Sequence, residues 1–292
     1  MEVNESQNIN IVPSTEEPIK TEEQKTTESM LDEIIEKIKV TSRFMVVGIN
    51  QSGKSNLMLH LMKAIRRRPE HKDNGIKMTA FDPTLNFRYK FDSIPYLDRT
   101  KIRDVPDSIQ DLIVDIPFTT ASLKRDCIME VLLRDFGHKR TLKMQHNGVN
   151  PYYNFYIIDE MQNVFGSYAL RSKEGETALT IFSESSNYAM VIMGISQRFN
   201  DVATGVIERC AYFLVGNLSG GNELSKFAKI TGKKIANMTK SLKVGDFLFI
   251  DRSNLESVKQ IHVPIFEQEG TPYPYEEQSM KWGVKERFVN YD

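Results

Sequence analysis

Gly48-Ile49-Asn50-Gln51-Ser52-Gly53-Lys54-Ser55 matches G-x-x-x-x-G-K-[ST], the pattern of a phosphate-binding loop. Each residue type has a physical reason. The glycines let backbone N–H groups turn inward around phosphate oxygens, and the N-terminus of the following helix adds its partial positive charge. Lys54 is expected to reach the β and γ phosphates of ATP, and Ser55 to ligate Mg²⁺ through its hydroxyl. Gly48, Asn50, Gln51, Ser52, Gly53, Lys54, Ser55 and Asn56 form the expected nucleotide-binding set. A chance glycine-rich turn before a helix would read similarly, but the flanks argue against it. Phe44 to Val47 enters the loop as an apolar strand, and Leu57, Leu61, Ala64 and Ile65 follow at helical spacing.

Outward from this loop, short apolar runs alternate with helical segments. Phe44 to Gly48, Met78 to Asp82, Leu112 to Ile116, Phe155 to Asp159, Met190 to Ile195 and Tyr212 to Val215 are rich in Val, Ile and aromatics and read as buried parallel strands. Helices are expected at Lys54 to Arg67, Ala121 to Phe136 and Asn222 to Ile230. This βα alternation predicts an α/β fold, a mostly parallel central sheet flanked by helices. Phe247 to Asp251 and Gln260 to Ile265 are further strand-like runs placed to close one edge.

Two strand ends carry chemistry. Phe155-Tyr156-Ile157-Ile158-Asp159-Glu160 is a hydrophobic strand ending in paired carboxylates. Running beside the P-loop strand, it would deliver Asp159 to the Mg²⁺ shell and Glu160 towards the attacking water. Alone, such an ending is common surface chemistry; downstream of a complete P-loop it separates hydrolysis from nucleotide holding. Val191 to Ile195 empties into Ser196-Gln197-Arg198, which places Gln197 to sense the γ phosphate or orient water, unless it is a polar strand cap.

Together these motifs resemble the FtsK/HerA superfamily of DNA-translocating P-loop ATPases, and within it the compact ATPases that package viral genomes. The resemblance spans roughly residues 40 to 255. Ala80-Phe81-Asp82-Pro83 resembles the family's second strand, which typically ends in Asp-Pro, and Ile157-Ile158-Asp159-Glu160 its strand with paired acids. Ser196-Gln197-Arg198-Phe199-Asn200-Asp201 is similar to its Thr/Ser-Gln-Arg-Pro-Ser-Asp run, with Phe199 in place of the usual proline. Leu242-Lys243-Val244-Gly245-Asp246-Phe247-Leu248 resembles its late Gly-Asp/Glu turn. The resemblance implies a RecA/ASCE-like core and a hexameric or similar ring that couples ATP hydrolysis to movement of double-stranded DNA. Lys54, Glu160 and Gln197 would be completed by an arginine from the neighbouring subunit, Arg209 first and Arg171 second, with Arg198 structuring the sensor strand's end. It further implies work in the host-cell cytoplasm or on the virion, with capsid or portal-like vertex proteins as partners. The alternatives are plasmid or conjugative DNA transfer, DNA processing, or an ATP-switched interaction protein with slow hydrolysis.

Charge supports a polyanion-handling body. The 292 residues carry 38 bases and 39 acids, yet residues 1 to 36 hold ten of the acids and only two of the bases. Residues 1 to 28, acidic and without an aromatic, are expected to be a disordered arm. Ser29 reads as the N-cap of a docking helix over 29 to 40 bearing Leu31, Ile34, Ile35 and Ile38; the ATPase domain spans 41 to 266, and 267 to 292 reads as an extended tail. Residues 226 to 243 carry Lys226, Lys229, Lys233, Lys234, Lys240 and Lys243 with no acid, broken at Thr231-Gly232, as a pore lining or a solvated face. Arg134, Lys139, Arg140 and Lys143 surround Gly137 and His138 in an expected loop. From these segments Lys226, Lys229, Lys233, Lys234, Arg140 and Lys143 are the candidate DNA contacts. For Arg66-Arg67-Arg68 the helix C-terminus is reason enough. No apolar stretch approaches the roughly 18 residues of a membrane span, and the polar start is neither a secretory signal nor a transit peptide. Histidine and cysteine spacings give no zinc pattern, and Cys127 and Cys210 read as reduced, buried and inert.

Overall fold

The computed structural model describes residues 22–41, 43–84, 87, 90, 91, 96–98, 110–116 and 120–267. Its strands are β1 (Arg43–Val47), β2 (Ile76–Asp82), β3 (Tyr96–Asp98), β4 (Asp111–Asp115), β5 (Tyr153–Ile158), β6 (Met190–Ser196), β7 (Tyr212–Val215), β8 (Asp246–Asp251) and β9 (Lys259–His262). They form one sheet in the order β3-β4-β2-β5-β6-β1-β7-β8-β9. The pairs from β3 through β7 are parallel; β8 and β9 join antiparallel and close the edge as their sequence suggests. All seven residues of β6 are buried, as expected of a strand covered on both faces.

Helices cover both faces. They are α1 (Glu22–Thr41), α2 (Lys54–Arg67), α3 (Pro69–Lys72), α4 (Ala121–Gln145), α5 (Gln162–Phe165), α6 (Lys173–Glu184), α7 (Thr204–Ile207), α8 (Gly221–Thr231) and α9 (Lys233–Met238). The alternation along β1 divides the core in two. Phe44 and Val46 pack with Leu57, Leu61 and Ile65 of α2 and with Leu31, Ile34, Ile35 and Ile38 of α1. Met45 and Val47 pack on the opposite face with Ile128 and Leu132 of α4 and Ala178 and Phe182 of α6. The result is a three-layer α/β/α arrangement.

Several expectations change. β5 does not run beside the P-loop strand: β1 pairs with β6 and β7, and β6 separates it from β5. Local apolar patterning reports burial, not strand order, so this arrangement leaves no mark in any single segment. The docking helix starts at Glu22, so Ser29 lies inside it and caps nothing. Its apolar face is the one expected, while its acids pair across the seam: Glu28 and Asp32 with Arg67 at 3.3 and 3.1 Å, Glu36 with Arg68, and Glu33 with Lys259 at 2.8 Å. Part of the N-terminal acidic charge is thereby matched to Arg67 and Arg68, while Arg66 pairs with Asp111 at 3.2 Å. The expected loop around Gly137 is helix, because α4 continues to Gln145. A single glycine costs a helix about 1 kcal/mol relative to alanine, which a packed 25-residue helix absorbs. The β3 strand and the α6 helix have no counterpart in the sequence reading. The expected tail from 268 to 292, and the arm before Glu22, lie outside the described residues.

Candidate nucleotide site

The P-loop hangs from the ends of neighbouring strands. Gly216 N donates to Val47 O at 2.8 Å and Ile49 N to Asn217 O at 2.9 Å, which ties the loop to the chain leaving β7. Gly53 adopts a φ of +94°, a left-handed conformation that favours glycine just before the helix. The late turn closes the loop from the other side, with Gly245 N donating to Ser52 O at 3.1 Å. Lys54 is only 8% exposed, and its Nζ donates to Gly48 O at 2.9 Å and Ile49 O at 2.7 Å. Burial pulls its pKa down to about 8, against the opposing charge of Asp159. The buried Ser52 hydroxyl has no partner among the described residues, which suits it to a phosphate oxygen. Asn56 stands apart from the rest of the expected set. Its amide donates to Pro264 O and its carbonyl accepts from Phe266 N, each at 2.5 Å, fastening the chain after β9 to α2.

The acid pair arrives from β5. Asp159 is buried; its Oδ2 accepts from Thr84 Oγ1 at 2.8 Å and its Oδ1 from Glu160 N at 2.9 Å. Burial raises its pKa against those two hydrogen bonds, with the nearby charges of Asp82 and Glu160 adding to the rise. A carboxylate so crowded gains from a cation. Ser55 in the first turn of α2 and Asp159 offer a hydroxyl and a carboxylate, the hard oxygen donors Mg²⁺ takes alongside phosphate and water. Among the described residues no group of three or more His, Cys, Asp or Glu could hold a metal by itself. Glu160 has a φ of +53°, and its Oε2 accepts from Lys124 Nζ at 2.7 Å and Asn163 Nδ2 at 3.2 Å.

Gln197 is exposed at the end of β6, beside a groove of about 450 Å³ lined by Asn50, Gln197, Arg198, Asp201, Gly220 and Glu223. The P-loop tip and the sensor position therefore share one opening. The Arg198 backbone brackets Ser196, whose hydroxyl donates to Arg198 O at 2.9 Å. Arg171 and Arg209 are exposed, the latter donating to Gly205 O at 2.6 Å. The basic candidates separate in two. Lys229, Lys233, Lys234 and Arg140 are exposed, whereas Lys226 donates to Val202 O at 3.0 Å and Lys143 to Asn187 O at 2.8 Å. Gly232, with φ +89°, breaks the lysine-rich run between α8 and α9 as expected. Sequence reasoning missed Thr84, Asn217, Lys124 and Asn163. Thr84 had one available cue, since it follows the Asp82-Pro83 strand end; the other three have none.

No protein-family model matches the sequence, and no curated protein does. Solved structures do match. The genome packaging NTPase B204 from Sulfolobus turreted icosahedral virus 2, in complex with ATP-γ-S, has a TM-score of 0.56 at 19% identity over 77% of this chain and 98% of that chain. B204 from Sulfolobus turreted icosahedral virus, described as a DNA-packaging ATPase, gives 0.53 at 20% identity over 77% and 99%. The pCW3 conjugation coupling protein TcpA, in its monomer form with ATP-γ-S, gives 0.50 at 13% identity over 78% and 61%. The chain thus has the α/β fold of these P-loop ATPases. Among the described residues no helix is long and apolar enough to cross a membrane.

Proposed function

We propose that this chain is a Mg²⁺-dependent ATPase that translocates double-stranded DNA, packaging a viral genome into a capsid. The observation that carries the reading is the convergence of Lys54, Asp159, Glu160 and Gln197 at one end of a sheet shared in fold with genome-packaging NTPases. The loop amides and Lys54 hold the phosphates of ATP, and Glu160 takes the proton of the attacking water while Gln197 orients it. Ser55 and Asp159 would hold Mg²⁺, which would supply charge neutralisation on the phosphates. An arginine of a neighbouring copy, Arg209 first and Arg171 second, completes the site in a hexameric or similar ring. The ATPase unit is residues 41 to 266, with α1 docked on it. Exposed Lys229, Lys233, Lys234 and Arg140 contact DNA phosphates without reading bases. The setting is the host-cell cytoplasm or the virion, with a capsid or portal-like vertex protein as docking partner.

The test is ATP turnover with and without double-stranded DNA. DNA should raise it, and Lys54→Ala or Glu160→Gln should abolish it; turnover indifferent to DNA in the intact oligomer would remove the motor reading. The likeness to a conjugation coupling protein supports a second reading, plasmid transfer, which association with a capsid protein would exclude. A particle that stays monomeric in light scattering with ATP and DNA would favour a nucleotide-switched interaction protein.

A further inference from the structure

Glu160 and Lys124 meet under conditions that neither residue's own segment favours. Glu160 holds a left-handed φ of +53°, a conformation that costs a non-glycine residue about 1 kcal/mol or more. Lys124 sits in the first turn of α4, which begins at Ala121 behind the Thr120 cap, where the helix dipole disfavours a cation. Its side chain is also largely buried, 16% exposed. Helix stability therefore does not account for a lysine here. The two side chains face one another at 2.7 Å, and Asn163 Nδ2 holds the same carboxylate oxygen at 3.2 Å. Asn163 is itself anchored, its N–H donating to Glu160 O at 2.9 Å. Two donors from two elements thus hold Oε2 in one place, which leaves the rotation of the carboxylate little freedom. A proton acceptor needs that kind of restraint, because misplacement by about 1 Å can cost on the order of a hundredfold in rate.

We infer that Lys124 is a positioning residue for Glu160: from the first turn of α4, with Asn163, it fixes the carboxylate that takes the proton of the attacking water. The inference rests on the hydrolytic reading above. It adds the element that connects the proton-accepting carboxylate to α4, a helix whose far end carries the exposed Arg140.

The experiment measures kcat and KM for Mg²⁺-ATP on the full chain with double-stranded DNA, for Lys124→Met and Lys124→Arg, each alone and in a Glu160→Gln background. A methionine keeps the length and helix propensity of lysine without the charge; Lys124→Gln is the second choice if that protein does not fold. Lys124→Met should lower kcat on the order of tenfold, a fraction of the contribution of a general base, and leave KM within about twofold. Lys124→Arg should restore most of the loss. In the Glu160→Gln background, followed with radiolabelled ATP, Lys124→Met should cause no further loss, because its effect passes through the carboxylate. An unchanged or raised kcat in Lys124→Met, or the same fold-loss in both backgrounds, would overturn the inference. Full turnover in Glu160→Gln alone would instead remove the hydrolytic reading on which it rests.

Discussion

Replacing Gly245 with alanine should injure the P-loop from a distance of some 190 residues in sequence. Gly245 has φ +88°, so any L side chain there carries left-handed strain of roughly 1–2 kcal/mol. A Cβ would also lie 2.8 Å from Val263 O and 3.2 Å from the His262 ring, and Val263 N donates back to Gly245 O at 2.8 Å. The backbone at that crossing must therefore shift, at about 1–2 kcal/mol more. Gly148 is an internal control: its φ is also +88°, but a Cβ there meets nothing within 4 Å. Gly148→Ala should lose roughly 1–2 kcal/mol in urea denaturation, and Gly245→Ala roughly 2–4 kcal/mol with an unchanged m-value. The second consequence is functional. Gly245 N donates to Ser52 O, and losing a hydrogen bond worth about 1 kcal/mol at the loop should weaken ATP binding about fivefold in Gly245→Ala, measured by fluorescent nucleotide titration. Gly148→Ala should bind ATP normally. Equal stability losses in the two variants, or wild-type nucleotide affinity in Gly245→Ala, would refute the reasoning.

Three further outcomes follow from other places in the fold. Burial pushes the Lys139 pKa down to about 7, with Lys77 adding to the fall, although its ammonium lies 3.5 Å from the centre of the Tyr152 ring. Between pH 7 and 10.5 the unfolded chain binds more protons at this position, so stability should rise with pH across that window, and below it the full burial cost remains. In Lys139→Met the rise should shrink by about 3 kcal/mol, less than the whole linkage value because the ring favours the charged form; parallel curves by denaturation across pH would contradict this. Removing Lys229, Lys233 and Lys234 together should flatten the salt dependence of DNA binding by about three in log–log slope, whereas Lys226→Met, whose amine is already engaged with Val202 O, should leave it unchanged. Deleting residues 1 to 21 should leave DNA-free ATP hydrolysis intact and strengthen DNA binding at low salt; a cut through Glu28 should also loosen α1, because Thr27 Oγ1 donates to His262 O at 3.0 Å and Glu28 pairs with Arg67.

What was legible in the sequence divides along a physical line. The segment Phe44 to Arg67 is readable because strand, loop and helix are local: apolar period, glycines and the Lys-Ser pair lie within two dozen residues, and α2 has the expected ends. The same holds for the β5 ending at Asp159-Glu160, where a hydrophobic run meets two acids. Strand order does not work this way. That β6 lies between β1 and β5 depends on which buried strand finds room at which edge, a property of the whole sheet. The least legible features are lysines. By sequence Lys124, Lys139, Lys143 and Lys226 are interchangeable surface cations, yet in the fold they meet the Glu160 carboxylate, an aromatic ring and two backbone carbonyls. A long flexible side chain on an amphipathic helix can turn its head either way, and the direction is set by the element packed opposite.

That freedom changes how the charge asymmetry reads. Counting residues sets an acidic arm against a basic body, as if the two were separate agents. The fold joins part of each: Glu28, Asp32, Glu33 and Glu36 face Arg67, Arg68 and Lys259 along the outer side of α1. Exposed pairs of this kind contribute little stability singly, so the helix is held mainly by Leu31, Ile34, Ile35 and Ile38, all 2% exposed or less. What the pairs do is cancel field. They neutralise the basic end of α2 and leave Lys229, Lys233 and Lys234 of α8 and α9 among the exposed positive surface that remains. A polyanion approaching the body would then be steered to that surface, not to the α1 side. Residues 1 to 21 carry four acids and one base, and that is the charge their deletion removes.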